Sequence, residues 1–409
     1  MNPAPPPPQP PAAGRMLLGL IIALVAIGPL STDLYLPSLP AIGRDLGADV
    51  AGTQLTLSMY MVAFALAQLV YGPLSDRFGR RPVVIGGIAI YAVASVACAF
   101  AASIDQLIAA RALQATGACA GVVLGRAIVR DVYGREGAAR MLALVGSVMA
   151  FAPAIGPVLG GIVEVNFGWR WNFSLLVIFA TVLLALLAGK LVETNRLRDA
   201  TALDPVRMLR NYAALLRDRR YLGYALCVSA GYSGLFAFIS GSSFVLIDDL
   251  GLSPDVYSWY FVMCVVGYFI GAQVATHLTM RLGIDRMLVL GAAINVAGGA
   301  GMLAVALTGL ATPDVIGAAL LVFPMAVFVL GMGINMPNAQ GGALGPYPHM
   351  AGSASALMGF IQMGSAALVG MAFGWLHAGT PVVLASLVLG CALALTASLV
   401  FLVRPFAKR

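Results

Sequence analysis

The sequence predicts an all-α membrane protein with twelve transmembrane helices in two six-helix bundles, and three observations predict it. Hydrophobic residues make up 60% of the 409 residues and charged residues only 10%. Soluble domains carry roughly a quarter charged residues, so this chain could not cover a water-facing surface. Apolar runs of about 20 residues, the length a helix needs to cross a bilayer, recur from end to end. The basic residues then alternate between the intervening loops in the manner of a polytopic protein.

The runs fall at 17–39, 52–72, 82–103, 106–128, 138–163, 169–190, 221–246, 256–279, 287–309, 314–336, 351–375 and 380–403. An even number places both termini on one side. With that side in the cytoplasm, 21 of the 24 Lys and Arg residues lie in cytoplasmic segments; Arg44 and Arg170 lie outside, and Arg111 lies within the fourth run. This asymmetry is the positive-inside rule. The same alternation means that the net charge of +7 forms no single basic patch, so a nucleic-acid partner is not expected.

Residues 1–15, MNPAPPPPQPPAAGR, have the composition of an extended, unpacked tail and lack the pattern of a signal peptide. The longest polar interval divides the rest, giving a bundle over 16–192, a linker over 193–220, a second bundle over 221–404 and a short tail at 405–409. Ser75-Asp-Arg-Phe-Gly79 and Thr279-Met-Arg-Leu-Gly283 each follow the second run of their half, 204 residues apart. This weak internal repeat is the parallel-halves design of secondary transporters.

Of the seventeen acidic residues, only Asp33 falls inside a run. Intramembrane charge is costly and marks functional sites by default; a carboxylate that caps the kink between Pro29 and Pro37 is the alternative reading. Arg111 is the only intramembrane base. Both residues sit roughly 8–9 Å below the outer boundary at 1.5 Å per residue, which predicts that they couple directly or through water. Burial favours the neutral acid and a nearby guanidinium favours the carboxylate, so a group balanced between them could load and release a proton. A structural hub for hydrogen bonds is the alternative for Arg111.

The loop Gly72–Arg81 packs Asp76, Arg77, Arg80 and Arg81 with Gly72 and Gly79. Gly79 permits a tight turn, and Asp76 is placed to pair with a cation such as Arg130 in a conformational clasp. Pro153, Gly156, Pro157, Gly160 and Gly161 in the fifth run read as a hinge or seal between halves, or as simple close packing. Tyr35, Tyr60, Tyr232, Phe236, Asn335 and Gln362, with Asp33, are the candidate substrate contacts, because a cavity for amphipathic molecules wants aromatic faces and sparse polar groups.

Nothing in the sequence supports an enzyme. The three histidines (His277, His349, His377) are far apart. Cys98, Cys119, Cys227, Cys264 and Cys391 all lie in apolar runs without metal spacing. No cofactor is expected.

The string Gly72–Arg81 resembles motif A of the major facilitator superfamily. Arg111, Gln114 and Gly117 resemble motif B, and Pro153–Gly161 resembles motif C, the antiporter signature, with Ala152 where a glycine is common. PLSTDLYLPSLPAI (29–42), QLTLSMYM (54–61), QLVYGPLSDRFGRRPVV (68–84), RDVYG (130–134) and PHMAGSASALMG (348–359) are similar to the Bcr/CflA drug exporters, and the similarity spans nearly the whole chain after the tail. The resemblance implies alternating access, proton/drug antiport in the bacterial inner membrane, and a monomer whose partners are a small-molecule drug and lipid. It also implies that Asp33 and Arg111 act in coupling and substrate recognition.

Overall fold

A computed structural model of the protein describes residues 11–149, 152–195 and 198–403; side chains at 11–15, 134–136, 139–140, 142–143, 147–149, 152–154 and 349 lie outside that description. Among the described residues there is no β-strand. The helices are α1 Pro11–Asp33, α2 Leu39–Leu46, α3 Val50–Phe78, α4 Arg80–Ala99, α5 Ile104–Met149, α6 Ala152–Phe167, α7 Trp169–Lys190, α8 Pro205–Arg217, α9 Arg219–Ser243, α10 Pro254–Leu282, α11 Ile284–Thr308, α12 Val315–Leu344, α13 Ala351–Leu376 and α14 Pro381–Ser398. Eleven stretches are long and apolar enough to cross a membrane, and the apolar part of α6, Ile155–Phe167, is a shorter one. Together they fill the twelve predicted positions.

Local sequence explains most helix ends. Asp49, Asp204, Asp218 and Asp314 each accept a hydrogen bond from a backbone N–H in the first turn of α3, α8, α9 and α12, the N-cap geometry that satisfies otherwise unpaired donors. Gly79, with φ +101°, ends α3 and opens α4 in one residue. Side chains with a Cβ are strained at such a φ, and glycine is not.

Two predicted boundaries move. Residues 11–15, read as tail, are already helical: Pro11 takes the first helical position, where its missing N–H costs nothing, and Ala12 and Ala13 favour the helix. Residues 1–10 and 404–409 lie outside the described residues. No loop separates the fourth and fifth predicted runs, because α5 stays helical through 129–149, a stretch rich in helix formers and free of proline. The chain nevertheless reverses there. Gly121 and Gly125 pack against Leu24 and Val25 of α1, whereas Gly156 packs against Asp33 at its far end.

In the first bundle α5 packs on α1, α3 and α4, with α7 against α4 and α6 against α1 and α7. In the second, α12 packs on α9, α10 and α11, with α14 on α9 and α11. The bundles meet through α3 with α13 and α6 with α10. These are the second and fifth spans of opposite halves, the pairing expected of two similar halves related by a pseudo-two-fold axis. The α6–α10 contact is close: Ser258 Oγ donates to the Pro157 carbonyl at 2.7 Å. Arg44 and Asp248 also join the halves there, at 2.8 Å.

A Cβ at Gly160 would run into the Leu34 carbonyl, and one at Gly161 would stand 2.6 Å from the Pro254 carbonyl oxygen. Overpacking such a contact costs about 1–3 kcal/mol. Gly160→Val should therefore lower the melting temperature of the purified protein, while Gly189→Val, where nothing lies within 4 Å, should change it much less; equal losses would show that α6 is not tightly packed.

Candidate functional site

The C-terminal end of α1 brings together Asp33 and Arg111, two charged residues that the first bundle buries. Pro29 lies within the helix, and Leu36-Pro37-Ser38 form a 3-10 turn beyond it. Asp33 is the last residue of α1 and is 4% exposed. Its Oδ1 accepts a hydrogen bond from Thr32 Oγ1 at 3.0 Å. A Cβ on Gly156 would stand 2.7 Å from the Asp33 Cβ, so the backbone of α6 passes directly over the acid. The turn Leu36–Ser38 just beyond Asp33 packs against α9 and α10 of the second bundle. Asp33 therefore stands next to a contact between the bundles.

Arg111 is at the expected depth but is not the ion-pair partner of Asp33. It is fully buried. Its Nη1 donates to the Ser31 carbonyl at 2.8 Å and to Gln114 Oε1 at 2.5 Å. The guanidinium carbon lies 4.4 Å from the Tyr35 ring centroid and 4.3 Å from that of Tyr60. Gln114 is held in turn by Ser95, Ser95 by the Tyr91 carbonyl, and the Tyr91 hydroxyl by Ser31 at 2.7 Å. The reason is helix geometry. Ser31 and Tyr35 are four residues apart and mark one face of the chain, whereas residues two apart, such as Ser31 and Asp33, do not face the same way. Each desolvated cation–π contact is worth about 2 kcal/mol, and a hydrogen bond to a charged group about 1.5–3 kcal/mol, against a burial cost of several kcal/mol.

The same geometry sorts the substrate candidates. Tyr35 belongs to the interior of the first bundle, with its ring over Arg111 and its hydroxyl 2.5 Å from Thr56 Oγ1, so the expectation that it contacts substrate is corrected. Asn335 is corrected too: its amide meets that of Asn295 at 2.8 Å between α11 and α12, a packing contact inside the second bundle. Tyr60 shares Arg111 with Tyr35 and is buried in the first bundle. Tyr232 is half-buried and stacks with Phe236 at 6.5 Å, and the Phe236 ring packs on Gly370 of α13. Gln362 is buried on α13. Pro153 has its side chain outside the described residues.

The stretch Gly72–Arg81, expected as a loop, is helical except at Gly79, and Arg80, the first residue of α4, is the centre of the basic end. Its Nη1 lies 2.6 Å from Asp76 and its Nε 2.9 Å from Asp131. Asp76, expected to pair with a cation such as Arg130, pairs instead with Arg80, four residues on; α5 contributes the acid Asp131 to the same guanidinium, and Arg130 is exposed. Arg81 reaches the Ala188 carbonyl at 2.8 Å, and Arg77 lies over the Phe78 ring. The Gly72 carbonyl accepts a hydrogen bond from Ser75 Oγ at 2.9 Å. Beneath Gly79 sits Glu193, which accepts from the backbone N–H groups of Arg80, at 2.9 Å, Arg81, at 3.2 Å, and Asn195, at 2.9 Å.

Asp131, Glu193, Glu164 and the Arg44–Asp248 pair were not singled out from the sequence. Glu164 accepts from Ser38 Oγ at 2.5 Å, which no local spacing announces across 126 residues. The one available signal was residue type: acids at the ends of apolar runs with no neighbour in sequence to neutralise them.

Partial burial raises the Glu193 carboxyl, but the backbone donors around it outweigh burial and hold it below the usual glutamate value of 4.5. A lowered folded value means the stabilisation is complete above about pH 4.5 and is lost as pH falls through the folded value. Glu193→Gln should thus cost about 1 kcal/mol near neutral pH, since charged hydrogen bonds at a partly exposed site are weakened by solvent. It should also flatten the acid limb of the stability curve; an unchanged acid limb would show that Glu193 does not hold the loop.

Comparison with known proteins agrees with this arrangement. The family model described as Major Facilitator Superfamily matches residues 21–371. The chain is 32% identical over 359 residues to a chloramphenicol resistance protein of Pseudomonas aeruginosa, covering 87% of this chain and 82% of that one. It is 28% identical over 348 residues to a bicyclomycin resistance protein homolog of Haemophilus influenzae, covering 85% and 86%. Among solved structures, the nucleoside transporter NupG superposes with a TM-score of 0.70 at 14% identity, over 96% of this chain and all of that one, which shows a shared fold. With two packed bundles, a multi-pass set of spans and a family match over most of its length, the chain belongs to the Major Facilitator Superfamily and is a membrane transporter rather than an enzyme.

Proposed function

We propose that this transporter exchanges protons for a small amphipathic drug, exporting the drug across the bacterial inner membrane by alternating access, as a monomer with both termini in the cytoplasm and no cofactor. One observation carries the reading: Asp33, the one buried acid among the described residues, lies under the backbone of α6, beside a turn that packs on α9 and α10 of the other bundle. A carboxyl in that position holds its charge at a cost, so gaining or losing a proton changes the energy of the packed state. The names of the relatives, resistance to chloramphenicol and to bicyclomycin, support a drug as the solute.

With the bundles joined at the outer end by Arg44–Asp248 and Ser258–Pro157, a solute would reach Asp33 from the inside. Deprotonated Asp33, Tyr60 and the Tyr232–Phe236 face would bind it. After the halves rock, a proton arriving from outside would neutralise Asp33 and help expel the drug. The clasp of Asp76, Arg80 and Asp131 would bias the equilibrium between states, and a few kcal/mol of differential interaction is enough for that.

In proteoliposomes carrying a pH gradient, Asp33→Asn should lose gradient-driven chloramphenicol exchange by about tenfold or more, the loss expected when removing a charge or proton at the reacting site costs over 1.4 kcal/mol. Expression in an efflux-deficient host should show the matching loss of resistance. Full gradient-driven transport by Asp33→Asn would overturn the reading.

A further inference from the structure

The two halves treat their repeated loop differently. In the first, Asp76 and Asp131 neutralise Arg80, and Glu193 closes over Gly79. In the second, 204 residues on, Met280 stands where Asp76 does, Arg281 where Arg77 does and Gly283 where Gly79 does. The carboxylate that latches the first loop has been replaced by an apolar side chain. Beside this second loop is a cavity of about 800 Å³ between the ends of α9, α10, α11 and α12. It is lined by Arg220, Arg281 and Arg286, against one acid, Asp285. The Arg220 guanidinium lies over the Tyr224 ring, 6.0 Å from its centroid. Arg281 and Arg286 are exposed and form no ion pair among the described residues.

We propose that this cavity binds the phosphate headgroup of an anionic phospholipid. Three guanidiniums facing one carboxylate leave an excess of positive charge, and guanidinium forks suit phosphate oxygens. A basic pocket between helices at the basic face of a membrane protein is the setting in which acidic headgroups are recognised. The rim decides between lipid and free phosphate. Met280 is 91% exposed and Leu282 40% exposed, a pair of apolar side chains at the mouth of a charged cavity. A soluble ion has no use for that surface, whereas acyl chains leaving a bound headgroup would cover it.

The test uses the full-length protein in a neutral detergent and follows its melting temperature as phosphatidylglycerol, phosphatidylcholine or inorganic phosphate is added. Phosphatidylglycerol should raise it by about 3 °C or more, as expected for a ligand well above its dissociation constant. Phosphatidylcholine and inorganic phosphate should not. The double variant Arg281→Gln/Arg286→Gln should lose most of the shift, and Arg207→Gln/Arg210→Gln on α8, which removes the same charge elsewhere, should keep it. Met280→Asp, which sets a carboxylate at the mouth of the cavity while leaving every arginine in place, should also lose it and decides the matter if the double variant does not fold. The proposal is overturned if phosphate or phosphatidylcholine gives an equal shift, if both loop variants keep the shift, or if the α8 variant loses as much.

Discussion

A guanidinium buried without a carboxylate, hydrogen-bonded through Nη1 alone and faced by aromatic rings, is the constraint on which the first bundle depends. Arg111 has no exposed surface, and what replaces water is a carbonyl, an amide and two ring faces drawn from α1, α3 and α5. A buried charge that loses its partners is strongly destabilising, so these groups cannot move independently. Ser31 and Tyr35 are thereby fixed, and with them the turn that ends α1. Asp33 lies between them in sequence but is not consumed by the cation. The arrangement separates two tasks that the sequence made look like one: Arg111 sets the position of the chain, and Asp33 remains available to change its charge.

Small residues determine what Asp33 meets. Gly156 lets the backbone of α6 lie over the acid, Gly160 accommodates the Leu34 carbonyl, and Gly161 faces Pro254 of the opposite bundle. One helix therefore touches the titratable residue on one side and the other half of the molecule on the other. Any change in the charge or hydration of Asp33 acts on a contact with no spare room, and close-packed interfaces respond to such changes by rearranging rather than by yielding gradually. The basic end is built on another principle, with Arg80 held among Asp76, Asp131 and Ser75. Ion pairs there can part when water enters, at a cost far below that of stripping a buried cation.

Much of this was legible in the sequence because the bilayer imposes simple rules. Length and hydropathy located the spans, and the sparse charge drew attention to Asp33 and Arg111. Residue counts set Arg111 level with the end of α1, and it contacts Ser31 and Tyr35 on either side of Asp33. Azimuth could not be counted: whether two side chains at one depth face each other depends on how α1 and α5 are rotated, and the count of residues is silent on that. The same gap explains Tyr35 and Asn335, polar residues in apolar runs that face the interior of their own bundles. It explains Asp131 as well, where the eye was drawn to the neighbouring arginine. Pairings such as Ser38 with Glu164, and Arg44 with Asp248, join residues more than a hundred positions apart and follow from tertiary packing alone. The continuity of α5 was missed for a local reason, since a charged stretch between apolar runs was read as a loop although its residues favour helix.

Infrared difference spectroscopy on protein with isotope-labelled arginine would test the separation of Arg111 from Asp33 directly. The carboxyl band of Asp33, assigned by its loss in the asparagine variant, would be titrated while the guanidinium modes are followed in the same samples. The account predicts that Asp33 gains and loses its proton while the band of the buried guanidinium stays in place. A guanidinium band that shifts in step with the carboxyl would show the two to be an ion pair and would contradict it.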